Sequence, residues 1–460
     1  MSRETFVHKK YPAYKSLLVP ILSWGEIENN IINNYHKPSR YTKTIERTKI
    51  DDLIEPQVNN YKNVDKIDLE NTLKFLYDNY KEFLFFSIRN NKINAKYHIY
   101  NRELVNKWNK NLSVAEGRNF GEFFSIAKKK VRGLQLNFIP PDKWYANNCL
   151  IRMENWGDKY GMPISYLEEI LEVFEFMMKK YDLPDCDFIV NRKDFALLTT
   201  NKSYAYYSLY DEKDKSNQPD NCWFVCSQSR RKETLDIVIP TSDEWKFLSN
   251  IDKLKDVTFD WYKKIPTAIW RGSTTGCGVK PETNKRIKMA EISKNINRND
   301  KKSIDGYPYI NAGIVQFTKG FKVTNKVINF IDQQKLNIPK LEFVTYEQQS
   351  TYKYVLNIEG NSGAYRYSSL FYTNSTVVNV KTKFKLWFEP LLEKNKEFIQ
   401  LSSKLDENNV IKTLEFLKTH DDVAKYIADN GKKFFETYIN KDTISEYWYK
   451  LMIEFNKKQL

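Results

Sequence analysis

Two short basic turns, at residues 267–278 (TAIWRGSTTGCG) and 352–378 (YKYVLNIEGNSGAYRYSSLFYTNSTVV), hold the residue types best suited to binding a charged ligand. In the first, a β-prone run ends at Arg271, Gly272 and Ser273. In the second, Tyr354, Val355, Leu356 and Ile358 run into Gly360, Asn361, Ser362, Gly363, Ala364, Tyr365 and Arg366. The spacing predicts a strand meeting a helix N-terminus there, with Asn361 or Ser362 capping the first turn and Tyr365, Leu370 and Phe371 turned to a core. Open backbone N–H groups beside a guanidinium suit a phosphate. A diphosphate carries about two negative charges, which two arginines and a helix N-terminus can balance without a metal. Taken alone, the same residues also describe an ordinary strand-to-helix turn of an α/β domain.

A third feature is Asp194, in LPDCDFIVNRKDFALL at residues 183–198. Phe188, Ile189 and Val190 form a buried strand, and Asp194 follows its C-terminal end, the end that faces the ligand crevice in open α/β sheets. An aspartate at this place is commonly an inert surface group. Asp185-Cys186-Asp187 spells a metal-binding Asp-x-Asp, a triplet frequent by chance. His8, His36, His98 and His420 lie outside all these segments, so neither a histidine metal site nor a Ser/His triad is supported, and no metal or cofactor is expected.

The positioning elements follow from periodicity. An apolar stripe of Leu167, Ile170, Leu171, Phe174, Met177 and Met178 predicts a helix opening near Pro163. Helices are also expected over 71–80, 120–132, 245–264 and 284–293, and strands over 83–88, 148–153 and 223–226, around Ile314 and Phe343, and over 376–380. Residues 1–70, interrupted by Pro12, Pro20, Pro38 and Pro56, read as an irregular extension. Three amphipathic helices close the chain. Arg286, on the helix after the first turn, reads as an exposed helical arginine.

The two turns together resemble the CAP10-like glycosyltransferases, glycosyltransferase family 90, whose members include Rumi-type protein O-glucosyltransferases and fungal capsule xylosyltransferases. The match is carried by Trp-Arg-Gly-Ser at 270–273 and by residues 352–366, with LDIVIP at 235–240 and WFEPLL at 387–392 as weaker support. The resemblance implies an α/β protein of two facing Rossmann-like domains of the GT-B type, with a C-terminal helix crossing back to the first domain. The implied divisions are an extension (1–70), an acceptor-side domain (71–264), a nucleotide-sugar domain (265–435) and the crossing helix (436–460). It implies Asp194 as general base, although the proline of the family's segment is missing here. It further implies a nucleotide site of Arg271, Gly272, Ser273, Asn361, Ser362, Gly363, Ala364, Tyr365 and Arg366, and acceptor contacts at Ser227, Gln228 and Arg230. The implied reaction moves glucose or xylose from a UDP-sugar to a hydroxyl of a glycan or protein, with inversion. The alternatives are a catalytically silent sugar-nucleotide or glycan binder and a basic nucleic-acid-binding protein.

Composition bounds these readings. With 460 residues, 41% hydrophobic and 15% aromatic, the chain is long enough for two ordered domains. Its net charge of +15 fits nucleic acid, an acidic surface or an anionic small substrate, but it is spread as lysine among asparagines and isoleucines, which codon bias in an AT-rich genome explains equally well, and no nucleic-acid reader fold is recognisable. Cys149, Cys186, Cys222, Cys226 and Cys277 are odd in number and lack metal spacing, as expected of reduced thiols in a cytoplasmic protein. No signal-peptide pattern or membrane span is expected.

Overall fold

The computed structural model describes residues 21–80, 82–100, 164–203, 215–254, 259–276, 278–298, 305–318, 322–324, 327–329 and 331–460. The helix expected over 120–132, the strand over 148–153, and Cys149 and Cys277 lie outside the described residues.

Two sheets organise the chain. The first is six-stranded, in the order β1 (Ile21–Leu22), β3 (Lys92–Tyr100), β2 (Glu82–Arg89), β4 (Cys186–Asn191), β5 (Val225–Ser227), β6 (Ile237–Val238). Strands β4, β5 and β6 run parallel, whereas β2 pairs antiparallel with both β3 and β4. The sheet is therefore mixed rather than doubly wound throughout. The β2–β3 hairpin turns through Asn90 and Asn91 at φ 49° and 56°, left-handed values that asparagine tolerates better than most residues.

The second sheet is all parallel, in the order β13 (Phe398–Leu401), β12 (Thr376–Val380), β11 (Tyr352–Asn357), β7 (Ile265–Ser273), β8 (Ile310–Gln316). A short hairpin, β9 (Lys322–Thr324) and β10 (Val327–Asn329), stands apart. Strand order reverses between β7 and β11, and in sheets of this kind ligands bind beyond the strand ends at such a reversal. Both basic turns leave from those two strands.

Residues 21–70 are not an irregular extension where they are described. Helix α1 (Asp51–Val58) forms despite Pro56 and buries Leu53, Ile54 and Val58, and α2 (Lys66–Asn79) is capped by Asp65, whose side chain accepts from the backbone N–H groups of Ile67 and Asp68. Helix α3 (Ile164–Lys180) follows the predicted stripe. Helix α4 (Ser242–Ser249) covers only the start of the helix expected over 245–264, and α5 (Lys285–Arg298) packs against β8. Phe343 lies in an exposed loop and not in a strand.

After α6 (Tyr367–Phe371), α7 (Glu407–Thr419) and α8 (Asp421–Tyr438), Asn440 caps a new helix, α9 (Lys441–Lys458), which crosses back to the first sheet as expected. Its Trp448 ring sits 5.4 Å from Phe174 and 5.8 Å from Phe188, and Phe455 stacks 4.5 Å from Phe224. Tyr447 receives a hydrogen bond from Gln57 and donates one to the Val238 carbonyl, and Gln459 pairs with the backbone of Asp187. The α1 face is buried largely because α9 lies on it.

The joint between the domains includes a buried carboxyl. Glu244 of α4 accepts from the Thr241 N–H and from Trp387 Nε1, each at 2.8 Å, while its other oxygen has no partner. Burial pushes its pKa from 4.5 up to about 7, against the lowering effect of those hydrogen bonds. A folded-state pKa raised in this way contributes stability that is fully present below the unfolded value and lost as pH rises through 7. Glu244→Gln is therefore expected to gain about 1 to 3 kcal/mol over the parent at pH 8 and nothing at pH 4, read as urea midpoints across that range.

Candidate active site

Beyond β7 the two arginines expected to share one phosphate are held differently. Arg271 turns its guanidinium onto the neighbouring strand and loop. Its Nε donates to the Glu342 carbonyl (3.1 Å), one amino nitrogen to the carbonyls of Trp270 (2.9 Å) and Asn311 (2.7 Å), and the other to Asn311 Oδ1 (3.0 Å). Arg271 is thus a brace for the strand ends, donating to carbonyls on β7, β8 and the loop at Glu342. Its own carbonyl accepts from Arg366 at 2.6 Å.

Arg366 has a different environment. It stands at the N-cap of α6, a single turn of helix, and its guanidinium lies 5.6 Å from the centre of the Trp270 ring. Its Nε and second amino nitrogen are buried and have no protein partner. Burial pushes its pKa below the usual arginine value, and the partial counterweight comes from Tyr346, not from a carboxylate. A buried cation with two unused donors costs free energy unless an anion completes it.

The sequence assigned no place in the site to Trp270 and took Arg286 for an exposed residue. Arg286 is not an exposed helical arginine but is inserted beneath both turns, donating to the carbonyls of Ser273 (3.1 Å), Ile358 (3.2 Å) and Glu359 (2.9 Å) and to the Thr275 hydroxyl. Trp270 lies within 6 Å of both guanidiniums, 5.7 Å from Arg286. Glycine is needed at 272, where a Cβ would come 2.6 Å from the Trp270 ring, and at 276, where φ is 108°. The sequence signal for Trp270 was its place at the head of the Trp-Arg-Gly-Ser motif. For Arg286 it was a polar residue at the start of a helix.

The predicted cap is also revised. Neither Asn361 nor Ser362 caps α6. Asn361 accepts from the Gly276 N–H (3.0 Å) and donates to Asp194 Oδ2 (3.4 Å), so it joins the first turn to the other domain. The hydroxyl of Ser362 donates to that of Tyr365 (3.3 Å), which donates to the Asp194 carbonyl (3.2 Å). Gly363 packs against Leu386 and Ser229, and Ala364 is buried. Beside these turns a cleft of about 370 Å³ is lined by Gly276, Thr283, Lys285, Lys288, Glu359 and Gly360.

On the facing side, Asp194 is exposed on a loop that is held firmly without the missing proline. Asn191 accepts from the Lys193 N–H (2.7 Å) and donates to the Phe195 carbonyl (2.6 Å) and to Ser227 Oγ (2.8 Å). Asp236 accepts from the Leu197 and Leu198 N–H groups at 2.9 and 2.6 Å and from the Ser227 hydroxyl, and burial pushes its pKa up to about 6. The Ser229 hydroxyl donates to the Asp194 carbonyl at 2.8 Å. Ser227 and Gln228 are therefore not presented to an acceptor. Ser227 is fully buried in this network, and Gln228, also buried, accepts from the Ser242 N–H (3.1 Å). Arg230 pairs its backbone with Lys385 across the domain joint.

Asp185 and Asp187 serve the fold: Asp185 accepts from the Asn90 N–H, and Asp187 forms an ion pair with Arg89 at 2.7 Å. Among the described residues no group of three or more His, Cys, Asp or Glu side chains is placed to hold a metal, and no helix is long and apolar enough to cross a membrane.

Residues 167–460 match the model of glycosyl transferase family 90. The chain belongs to that family. This member of family 90 is 27% identical over 449 residues to uncharacterized protein 179R of Invertebrate iridescent virus 6, a match covering 84% of this chain and 37% of that protein. It is 30% identical over 197 residues to human protein O-glucosyltransferase 1, covering 43% of each. The chain thus spans less than half the length of these relatives. Among solved structures it is similar to Anabaena Alr3699/HepE in complex with UDP and glucose, with 12% identity, a TM-score of 0.31, and coverage of 50% of this chain and 63% of that one. In this family 90 member the two turns at the strand-order reversal meet the Asp194 loop through Asn361 and Tyr365.

Proposed function

We propose that the chain transfers glucose or xylose from a UDP-sugar to a hydroxyl of a glycan or protein, with inversion and without a metal. The observation that carries this reading is the buried Arg366 guanidinium at the reversal between β7 and β11, two of whose nitrogens have no protein partner, on the turn whose Asn361 and Tyr365 hydrogen-bond to Asp194. In the reaction the acceptor oxygen attacks the anomeric carbon as its proton passes to the Asp194 carboxylate. The bond from that carbon to the β-phosphate oxygen breaks, and its electron pair leaves with UDP. Arg366 meets the charge that grows on the leaving diphosphate, while Arg271, Arg286, Gly272 and Ser273 keep the turns in shape for it. A single base acting on the acceptor oxygen, with no covalent intermediate required, fits inversion. Relatives named as protein O-glucosyltransferases support glucose and a protein hydroxyl. The buried thiols of Cys186, Cys222 and Cys226 fit a reducing, cytoplasm-like compartment.

The test is a calorimetric and thermal-shift panel of UDP, GDP, CMP, UDP-glucose and UDP-xylose, with and without EDTA. Selective UDP binding that survives EDTA is the expected result. A folded sample that binds none of them overturns the reading in favour of a glycan-binding protein without turnover, or of nucleic-acid binding if salt-sensitive duplex affinity is found instead.

A further inference from the structure

The base loop has a charge problem that the family-matched segment does not solve. Arg192 and Lys193 immediately precede Asp194, and a free lysine or arginine side chain can fold back onto a carboxylate one or two residues away. Both are instead drawn to Glu82, on β2, outside residues 167–460. Strand register explains how: Phe83 pairs with Asn191, so Glu82 lies level with the start of the base loop. Its Oε2 accepts from Arg192 at 2.9 Å and faces His98 Nε2 at 3.3 Å, and its Oε1 accepts from Lys193 at 3.1 Å. Glu82 is buried, and although burial raises its pKa, Lys193, His98 and Arg192 together hold it well below the usual carboxylate range.

We propose that Glu82 is a positioning residue for Asp194: it holds Arg192 and Lys193 at the sheet edge and so keeps both cations from pairing with the reacting carboxylate. This rests on Asp194 being the base. Among the described residues, Asp243 of α4 and Asn361 and Tyr365 of the β11–α6 turn face Asp194, and Lys246 of α4 acts on Asp243. None of the three groups facing Asp194 is a cation. Those facing Glu82 are His98 of β3 and the two cations themselves. Released from Glu82, Arg192 and Lys193 would be within reach of the Asp194 carboxylate. They would stabilise its ionised form and make it a weaker proton acceptor.

The experiment follows UDP release from UDP-glucose, with water as acceptor, across pH for four proteins: the parent, Glu82→Gln, the triple variant Glu82→Gln/Arg192→Gln/Lys193→Gln, and Asp194→Asn. Glu82→Gln is expected to lower kcat by about tenfold or more, to leave the UDP Kd within about twofold, and to move the acid limb of the kcat profile to lower pH. The triple variant, with no cation left to quench the base, is expected to recover most of the lost rate and the parent profile. A parent-like rate and profile in Glu82→Gln overturn the proposal. So does a loss that shows no pH shift and is not restored in the triple variant, because that pattern belongs to a purely structural carboxylate. If Glu82→Gln does not fold, Glu82→Asp, which keeps the charge but withdraws it by one methylene, must show a partial loss in the same direction, and a parent-like profile there overturns the proposal. Failure of the base reading looks different: Asp194→Asn then matches the parent.

Discussion

Asp194→Asn is expected to slow sugar transfer by about a hundred- to ten-thousandfold while leaving UDP affinity within about twofold of the parent. The carboxamide keeps the shape and can still accept the Asn361 hydrogen bond, and the contacts from Ser229 and Tyr365 go to the residue 194 carbonyl, which the substitution does not touch. What is lost is the ability to take a proton from the acceptor oxygen as it attacks. Because Asp194 is exposed and its loop is anchored by Asn191 and Asp236, the melting temperature should hardly change. The checks are initial rates at saturating donor and UDP titration calorimetry on both proteins. One other carboxylate lies close enough to matter. Asp243 senses Asp194, and burial raises its pKa. Parent-like transfer by Asp194→Asn, together with a collapse in Asp243→Asn, would move the base role to Asp243.

The parts of this site that were legible in the sequence are those whose signal is local. A β-prone run ending in glycines and an arginine identifies a strand end and its turn without reference to the rest of the chain, and both turns do leave the C-terminal ends of β7 and β11. The stripe from Ile170 to Met177 identifies α3 for the same reason. Tertiary insertion leaves no such trace. Arg286 occupies an ordinary position near the start of a helix, and only the folding of α5 beneath two loops turns it into their common anchor. Helix α1 is short, contains a proline and lacks a side-chain cap, so by propensity it is weak. It exists because α9, almost 400 residues later, covers its apolar face. Ser227 and Gln228 show the converse error. The resemblance placed them in the acceptor region, yet a buried carboxylate at Asp236, several residues on, consumes the serine for loop anchoring.

Arg366→Met should separate binding from folding. In the free protein the guanidinium makes one protein hydrogen bond, to the Arg271 carbonyl, and stacks near Trp270, while its Nε and second amino nitrogen stay buried and unpaired. Losing the one bond costs the fold about 1 kcal/mol, whereas removing an uncompensated buried charge returns a similar or larger amount, since methionine of similar length still packs on the indole. The unliganded variant is therefore expected to melt at the parent temperature or above it. Nucleotide binding should move in the opposite direction. With the partner of a buried diphosphate gone, the UDP Kd should rise by about 30- to 1,000-fold, equivalent to about 2 to 4 kcal/mol, and the UDP-induced thermal shift should disappear. Arg366→Lys should rescue little, because a single ammonium cannot reach the Arg271 carbonyl and two phosphate oxygens with the spacing of a guanidinium fork. Calorimetry and unliganded melting curves on the same samples decide the matter. A variant that binds UDP like the parent takes Arg366 out of the nucleotide site. One that loses as much stability as affinity shows that the guanidinium holds the turn rather than the ligand.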